Sequence, residues 1–278
     1  MINASGGLIA HHKSLWSLLL YQDGTFPPQI KVRSNRVIRL DDGKGAMTAI
    51  RQVDSSKPKK GLGCLQAIDA NQEEEFETRL TKCRKLASSV SRARLNLHEV
   101  HHLMHPRIMP ATIYPMTVTT FTAKQCKQLN TAIDAVMLNK YRMNRHTPKA
   151  VVYSPLHLGG LNYPSYLIKQ DQRSLSAMIQ HLRWRGTVGT DILIALSAIQ
   201  QYSGLCESIF MDTTTPLPYV TQGWFTHLRQ RLNSFGGQVW IEDVWTLSLQ
   251  RDSDQSIMGT LNKCAAITNA MSEGLREL

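Results

Sequence analysis

The sequence predicts a mainly α-helical fold with a small α+β portion at its amino terminus. Apolar residues recur at helical spacing through residues 76–149 and again from residue 161 onward. The first 70 residues instead carry short apolar and β-branched runs, broken repeatedly by Gly and Pro.

In chain order, Leu15, Trp16, Leu18, Leu19, Leu20 and Tyr21 form an apolar run too short to span a membrane, which reads as a buried helix or strand until Asp23-Gly24 breaks it. After Pro27-Pro28, the residues Ile30, Val32, Val37, Ile38 and Leu40 are short strand candidates. Asp41-Asp42-Gly43 could place adjacent aspartates for metal binding, but Asp-Gly is a turn signal in its own right and predicts a turn. Residues 51–60 read as a polar basic linker, and Gly61-Leu62-Gly63-Cys64-Leu65 as a short strand or tight turn. The acidic stretch 71–77 suits the start of a helix.

That helix opens the densest region of the chain. Arg79, Lys82, Arg84, Lys85, Arg92 and Arg94 follow one another with no carboxylate among them, a phosphate-facing pattern. Leu95, Leu97, Val100, Leu103 and Met104 continue at helical spacing, and Met109-Pro110 and Tyr114-Pro115 are expected to close the helix. A second amphipathic helix is expected over 122–143, its core stripe set by Leu129, Ile133, Val136, Met137 and Lys140. The loop-rich passage 144–160 predicts a boundary, dividing the chain into 1–70, 71–150 and 151–278. Helices follow over 166–184, 191–203 and 219–235, the last with a Trp224, Leu228, Leu232 stripe. Residues 240–245 read as a short strand or a docking tail, and the polar end from residue 252 as helical.

Composition narrows the function classes. The formal charge of +11 is uneven: residues 1–150 carry 23 Lys and Arg against 11 Asp and Glu, and residues 151–278 carry 9 against 10. A polyanion is the natural partner of the basic half. Nucleic acid stands ahead of a membrane, because no long basic amphipathic helix shows a strong aromatic face. Cys64, Cys83, Cys126, Cys206 and Cys264 are odd in number and never form a C-x-x-C pair, which predicts reduced thiols in an intracellular compartment, nuclear or cytoplasmic. The amino terminus carries no signal-peptide pattern.

One motif points to different chemistry. His98-Glu99-Val100-His101-His102 matches H-E-x-x-H, in which two histidines a helical turn apart hold zinc and the glutamate polarises a water. The extended version needs Gly at position 105, where this chain has His105, and no Glu lies between Glu99 and Glu207 to serve as a third ligand. The plainer reading of the same residues is a polar, partly solvated helix.

Several separated motifs fall into one order: Ser5-Gly6-Gly7-Leu8 with Lys13 and Trp16, Gly24, Leu62-Gly63, Ile108-Met109-Pro110, Tyr114 and Thr119-Thr120-Phe121. Arg145 to Lys149, Pro155, Gly159-Gly160-Leu161, Gln170, His181-Leu182-Arg183, Gly204, Tyr219 and Trp224 continue it. In this order they resemble the carboxy-terminal part of reverse transcriptases encoded by eukaryotic retrotransposons, over roughly residues 5–235. The resemblance implies a palm-end remnant, a helical thumb and a helical carboxy-terminal domain. It implies that Lys13 is the palm lysine acting as general acid toward departing pyrophosphate. It also implies that Leu62-Gly63 is the primer-grip turn, with Lys60-Gly61 standing where the family usually has an aromatic residue. Residues 76–140 would be the thumb, tracking the backbone of a primer-template duplex.

The aromatic-x-Asp-Asp signature that holds magnesium in the intact parent enzyme should lie before residue 5, and Asp41-Asp42 comes after Lys13 instead of before it. The expectation is therefore a fragment or a gene product begun at an internal methionine, with no cofactor of its own and no polymerising activity. Its expected partner is an RNA/DNA hybrid or duplex, together with a polypeptide that supplies palm and fingers. Lys82, Arg84, Lys85, Arg92, Arg94, Arg145 and Lys149 are the expected phosphate contacts. The rival readings are a degenerate retroelement remnant whose basic face is inherited and unused, and a zinc hydrolase built on His98, Glu99 and His102.

Overall fold

The computed structural model describes residues 71–218, 220 and 222–246. It also describes 15–16, 20–21, 30–31, 37–41, 47–54, 57–61 and 63–67 of the amino-terminal part, and residues 251, 254 and 260. It divides into two units, Met1–Glu75 and Phe76–Glu277, the first also taking in Leu278. Lys13, Leu62, Asp42 and most of the tail after residue 246 lie outside the described residues.

The first unit is made of short strand pairs. β1 (Leu15–Trp16) runs parallel to β6 (Arg51–Gln52), β2 (Leu20–Tyr21) pairs antiparallel with β3 (Ile30–Lys31), and β4 (Arg39–Asp41) pairs antiparallel with β5 (Met47–Ala49). The indole of Trp16 donates to the Ile50 carbonyl at 3.1 Å, a bond that holds a large side chain at the strand end. The expected basic linker is partly structured: it contains β6, and its end enters β7 (Lys59–Gly61), which pairs with β8 (Cys64–Gln66). Gly61 faces Cys64 across this hairpin, and Gly63 turns with φ 88°, a left-handed conformation that disfavours any residue with a Cβ. The backbone N–H of Leu65 donates to the Glu75 carboxylate at 2.7 Å, and Glu75 is 1 % exposed.

The second unit is helical. α1 (Glu73–Arg92) begins on Glu73, Glu74 and Glu75 and ends on Arg92, charges that match the helix dipole at both ends. α2 (Leu97–Leu103) starts from a capping box: Asn96 accepts from the Glu99 N–H at 2.9 Å, and the Glu99 carboxylate accepts from the Asn96 N–H at 2.8 Å. The chain does not leave the helix at Met109-Pro110 as expected. A π-turn (Met104–Ile108), α3 (Met109–Ile113) and a 3-10 turn (Tyr114–Thr117) follow one another without a break. Pro106, Pro110 and Pro115 each fall in one of these segments. A proline removes an i to i−4 bond, and each change of helical pitch absorbs that loss without ending the helix. α4 (Ala123–Lys140) has a second capping box, between Thr122 and Gln125.

Phe76, Leu80, Cys83 and Val90 of α1 pack with Met104, Ile108, Phe121, Leu129, Ile133 and Met137. Val152 from α5 (Lys149–Tyr153) and Tyr163 and Tyr166 complete the same cluster, so the boundary expected near residue 150 falls inside one hydrophobic core. The Tyr166 hydroxyl lies 2.7 Å from Thr112 Oγ1 and 3.4 Å from Cys83 Sγ, tying three helices at one buried point.

α6 (Tyr166–Trp184) and α7 (Thr187–Ser203) form an antiparallel pair joined at Arg185-Gly186. A Cβ at Gly189 would meet the His181 carbonyl at 2.3 Å, so only glycine lets the helices approach this closely. Met178, Leu196, Leu205, Ile209, Phe210 and Leu228 form a second cluster, with Leu228 on α8 (Trp224–Ser234) and Trp224 and Leu232 packed against it, as the expected stripe requires. Residues 240–245 form no strand; Val239, Ile241 and Val244 pack on this cluster instead. No helix among the described residues is long and apolar enough to cross a membrane.

Candidate nucleic-acid interface

The buried stripe of α1 fixes which of its cations face solvent. Arg79 and Lys82 flank the stripe and turn inward: Arg79 Nη1 donates to the Ala111 carbonyl at 3.3 Å and Lys82 Nζ to the same carbonyl at 2.9 Å. Lys82 thus places one of its donors on the α3 backbone, a contact that the sequence pattern does not show. Arg84, Lys85 and Arg92 are exposed, Arg92 Nε donating to the Ser88 carbonyl at 3.3 Å, and Arg94 is exposed just past the helix end.

Lys140, read from the sequence as part of a core stripe, has a different role. Its ammonium donates to the Ala93 carbonyl at 2.6 Å, joining the carboxy-terminal ends of α1 and α4. Arg142, two residues on, is exposed at a left-handed position with φ 56°. Arg92, Arg94, Lys140 and Arg142 are thereby gathered at one end of the unit. The sequence signal for the last two was their place at a helix carboxy terminus, where cations meet unpaired carbonyls.

Arg145 is exposed in a turn set by Asn144, whose side chain accepts from the His146 N–H at 2.8 Å; Arg145 Nε donates to His146 Nε2 at 3.0 Å. Lys149 is committed elsewhere. It pairs with the carboxylate of Asp134, which is 4 % exposed and also accepts from the Tyr153 hydroxyl at 3.0 Å. Burial, reinforced by that carboxylate, pushes the Tyr153 phenol well up, so it stays a neutral donor.

The charge balance of the region follows from these placements. Residues 79–149 hold thirteen Lys and Arg and two carboxylates, Glu99 and Asp134. Glu99 caps α2 and Asp134 neutralises Lys149, so Arg84, Lys85, Arg92, Arg94, Arg142 and Arg145 are left without a carboxylate of this segment to oppose them.

The same capping box bears on the H-E-x-x-H reading, because it engages the glutamate that would have to activate a water. His98 and His102 do face each other, Nε2 to Nε2 at 3.2 Å, but no three His, Cys, Asp or Glu side chains converge among the described residues. Asp41 pairs with Met47 at the end of β4, and Asp42 lies outside the described residues. Of Leu62-Gly63, expected from the resemblance to be a primer-grip turn, Gly63 is described and has φ 88°, a left-handed turn conformation.

No protein-family model matches the chain, and no curated protein or solved structure matches it.

Proposed function

We propose that the chain binds a nucleic-acid duplex, of the RNA/DNA hybrid kind, through Lys and Arg contacts to phosphate. In this reading it is the thumb-like part of a retroelement reverse transcriptase and does not polymerise with the residues it has. The observation that carries the reading is the uncompensated charge at the ends of α1 and α4, where both carboxylates of residues 79–149 are already engaged. Each phosphate neutralised releases condensed counterions, so a surface of this kind binds by backbone charge and little by base sequence. Polymerisation requires paired aspartates that align the primer hydroxyl and the leaving pyrophosphate, and these would come from a separate palm.

The contacts assigned are Arg84, Lys85, Arg92 and Arg94 with Arg142, and Arg145 at the following turn. Reversing Arg84, Lys85, Arg92 and Arg94 to Glu should abolish binding of a labelled hybrid duplex at low salt while leaving the helical circular-dichroism signal intact. Undiminished binding by a folded variant would remove the reading.

A further inference from the structure

A second basic site lies away from α1. A groove of about 460 Å³ opens between the α3 region and α6. Lys169, Gln172, Arg173, Ser176 and Gln180 line it from α6 at one-turn spacing, and His105 lines it from the π-turn. Its apolar wall is formed by Met109, Pro110, Ile113 and Ala177. No carboxylate lines it among the described residues. The nearest acid in sequence, Asp171, is taken by Arg231, whose Nε donates to it at 2.8 Å, and lies 3.8 Å from His227 Nε2. Lys169 Nζ donates to Gln172 Oε1 at 3.1 Å, which leaves its remaining N–H groups for a ligand. Arg173 is exposed.

We propose that this groove binds a nucleotide-sized phosphate ester. The phosphate would lie between Lys169 and Arg173, where a guanidinium fork and an ammonium supply charge-assisted donors. The sugar and base would lie against Met109, Pro110 and Ile113. The volume falls within the range of small-ligand clefts, and the division into a cationic end and an apolar wall matches a nucleotide better than a bare anion. The ester is either a unit of a bound strand or a free nucleotide. The proposal goes beyond the duplex-binding reading and does not rest on it, since none of the α1 or α4 contacts enters the groove.

The test is calorimetric titration of the full chain with adenosine 5′-monophosphate, inorganic phosphate and a ten-residue oligothymidylate. Wild type is compared with Lys169→Gln/Arg173→Gln, with Arg173→Gln alone, and with the four-site reversal on α1. The expected result is saturable binding of the monophosphate or the oligonucleotide, tighter than inorganic phosphate, weakened roughly a hundredfold in the double variant. Arg173→Gln, at an exposed position, should keep the wild-type fold and lose part of that affinity. The α1 reversal should leave monophosphate binding unchanged. Binding of the monophosphate points to a free nucleotide, and binding of the oligonucleotide alone points to a strand unit. Either ligand binding equally well to wild type and to a folded Arg173→Gln and double variant overturns the proposal, as does the absence of binding by wild type.

Discussion

Gln170 has no solvent exposure and uses both ends of its amide on one residue: Nε2 donates to the Phe121 carbonyl and Oε1 accepts from the Phe121 N–H, each at 2.9 Å. This holds Phe121 edge-on to Phe76, ring centroids 5.7 Å apart, at the centre of the first core cluster. Gln170→Leu keeps the volume but strands a buried donor and a buried acceptor, so urea unfolding should show a loss of about 2–4 kcal/mol. A loss under about 0.5 kcal/mol would mean the backbone groups find other partners. At the π-turn, burial first, then the neighbouring His101 and Lys169, push the His105 imidazole below its ordinary value of 6.5, against a hydrogen bond with the Asn162 backbone. The unfolded chain therefore takes up this proton at higher pH than the folded one. The neutral ring's contribution to stability is complete above about 6.5 and is lost as pH falls through the folded value. Between pH 7.5 and 5, Tm should fall more steeply for wild type than for His105→Asn; parallel profiles would show that the ring is not held neutral.

At the scale of elements, α1 divides its cations by what each can reach: Arg79 and Lys82 reach the Ala111 carbonyl of α3, whereas Arg84, Lys85 and Arg92 are exposed. Lys82→Met keeps the aliphatic stem but removes the donor to Ala111. It should lower stability by about 1–2 kcal/mol and leave duplex affinity within about twofold. Arg84→Glu should do the reverse, and equal effects from the two would deny the division. The buried stripe was readable from the sequence at Phe76, Leu80, Cys83, Ala87 and Val90, but the division between Lys82 and Arg84 was not, because it depends on where α3 places the Ala111 carbonyl. The spans of α4 and α6 follow directly from their apolar periodicity and, for α4, from the Thr122 cap. The proline-rich stretch misled because local rules say only that proline breaks an α-helix. They do not say that a π-turn and a 3-10 turn can carry the axis onward. The H-E-x-x-H spacing likewise hid a capping box, in which Asn96 gives Glu99 its purpose.

At the scale of the whole molecule, two of the residues that carried the family resemblance, Gln170 and Gly160, hold the fold. Gln170 clamps Phe121, and Gly160 lies where a Cβ would meet the Ser154 carbonyl at 2.1 Å. Positions of this kind set architecture more than chemistry, so a chain can keep them with or without a catalytic centre. What the sequence could not show is which cations lack partners, because Lys149 and Asp134 lie fifteen residues apart and meet only through the fold. The central claim is that the cations left over form a working phosphate surface. The measurement that tests it most directly is the salt dependence of hybrid-duplex binding, for wild type and for the four-site reversal of Arg84, Lys85, Arg92 and Arg94. Six phosphate contacts predict a slope of log affinity against log salt of about −5 for wild type, and a slope of about −2 or binding too weak to measure for the variant. A wild-type slope near zero, or the same steep slope in both proteins, would contradict the account.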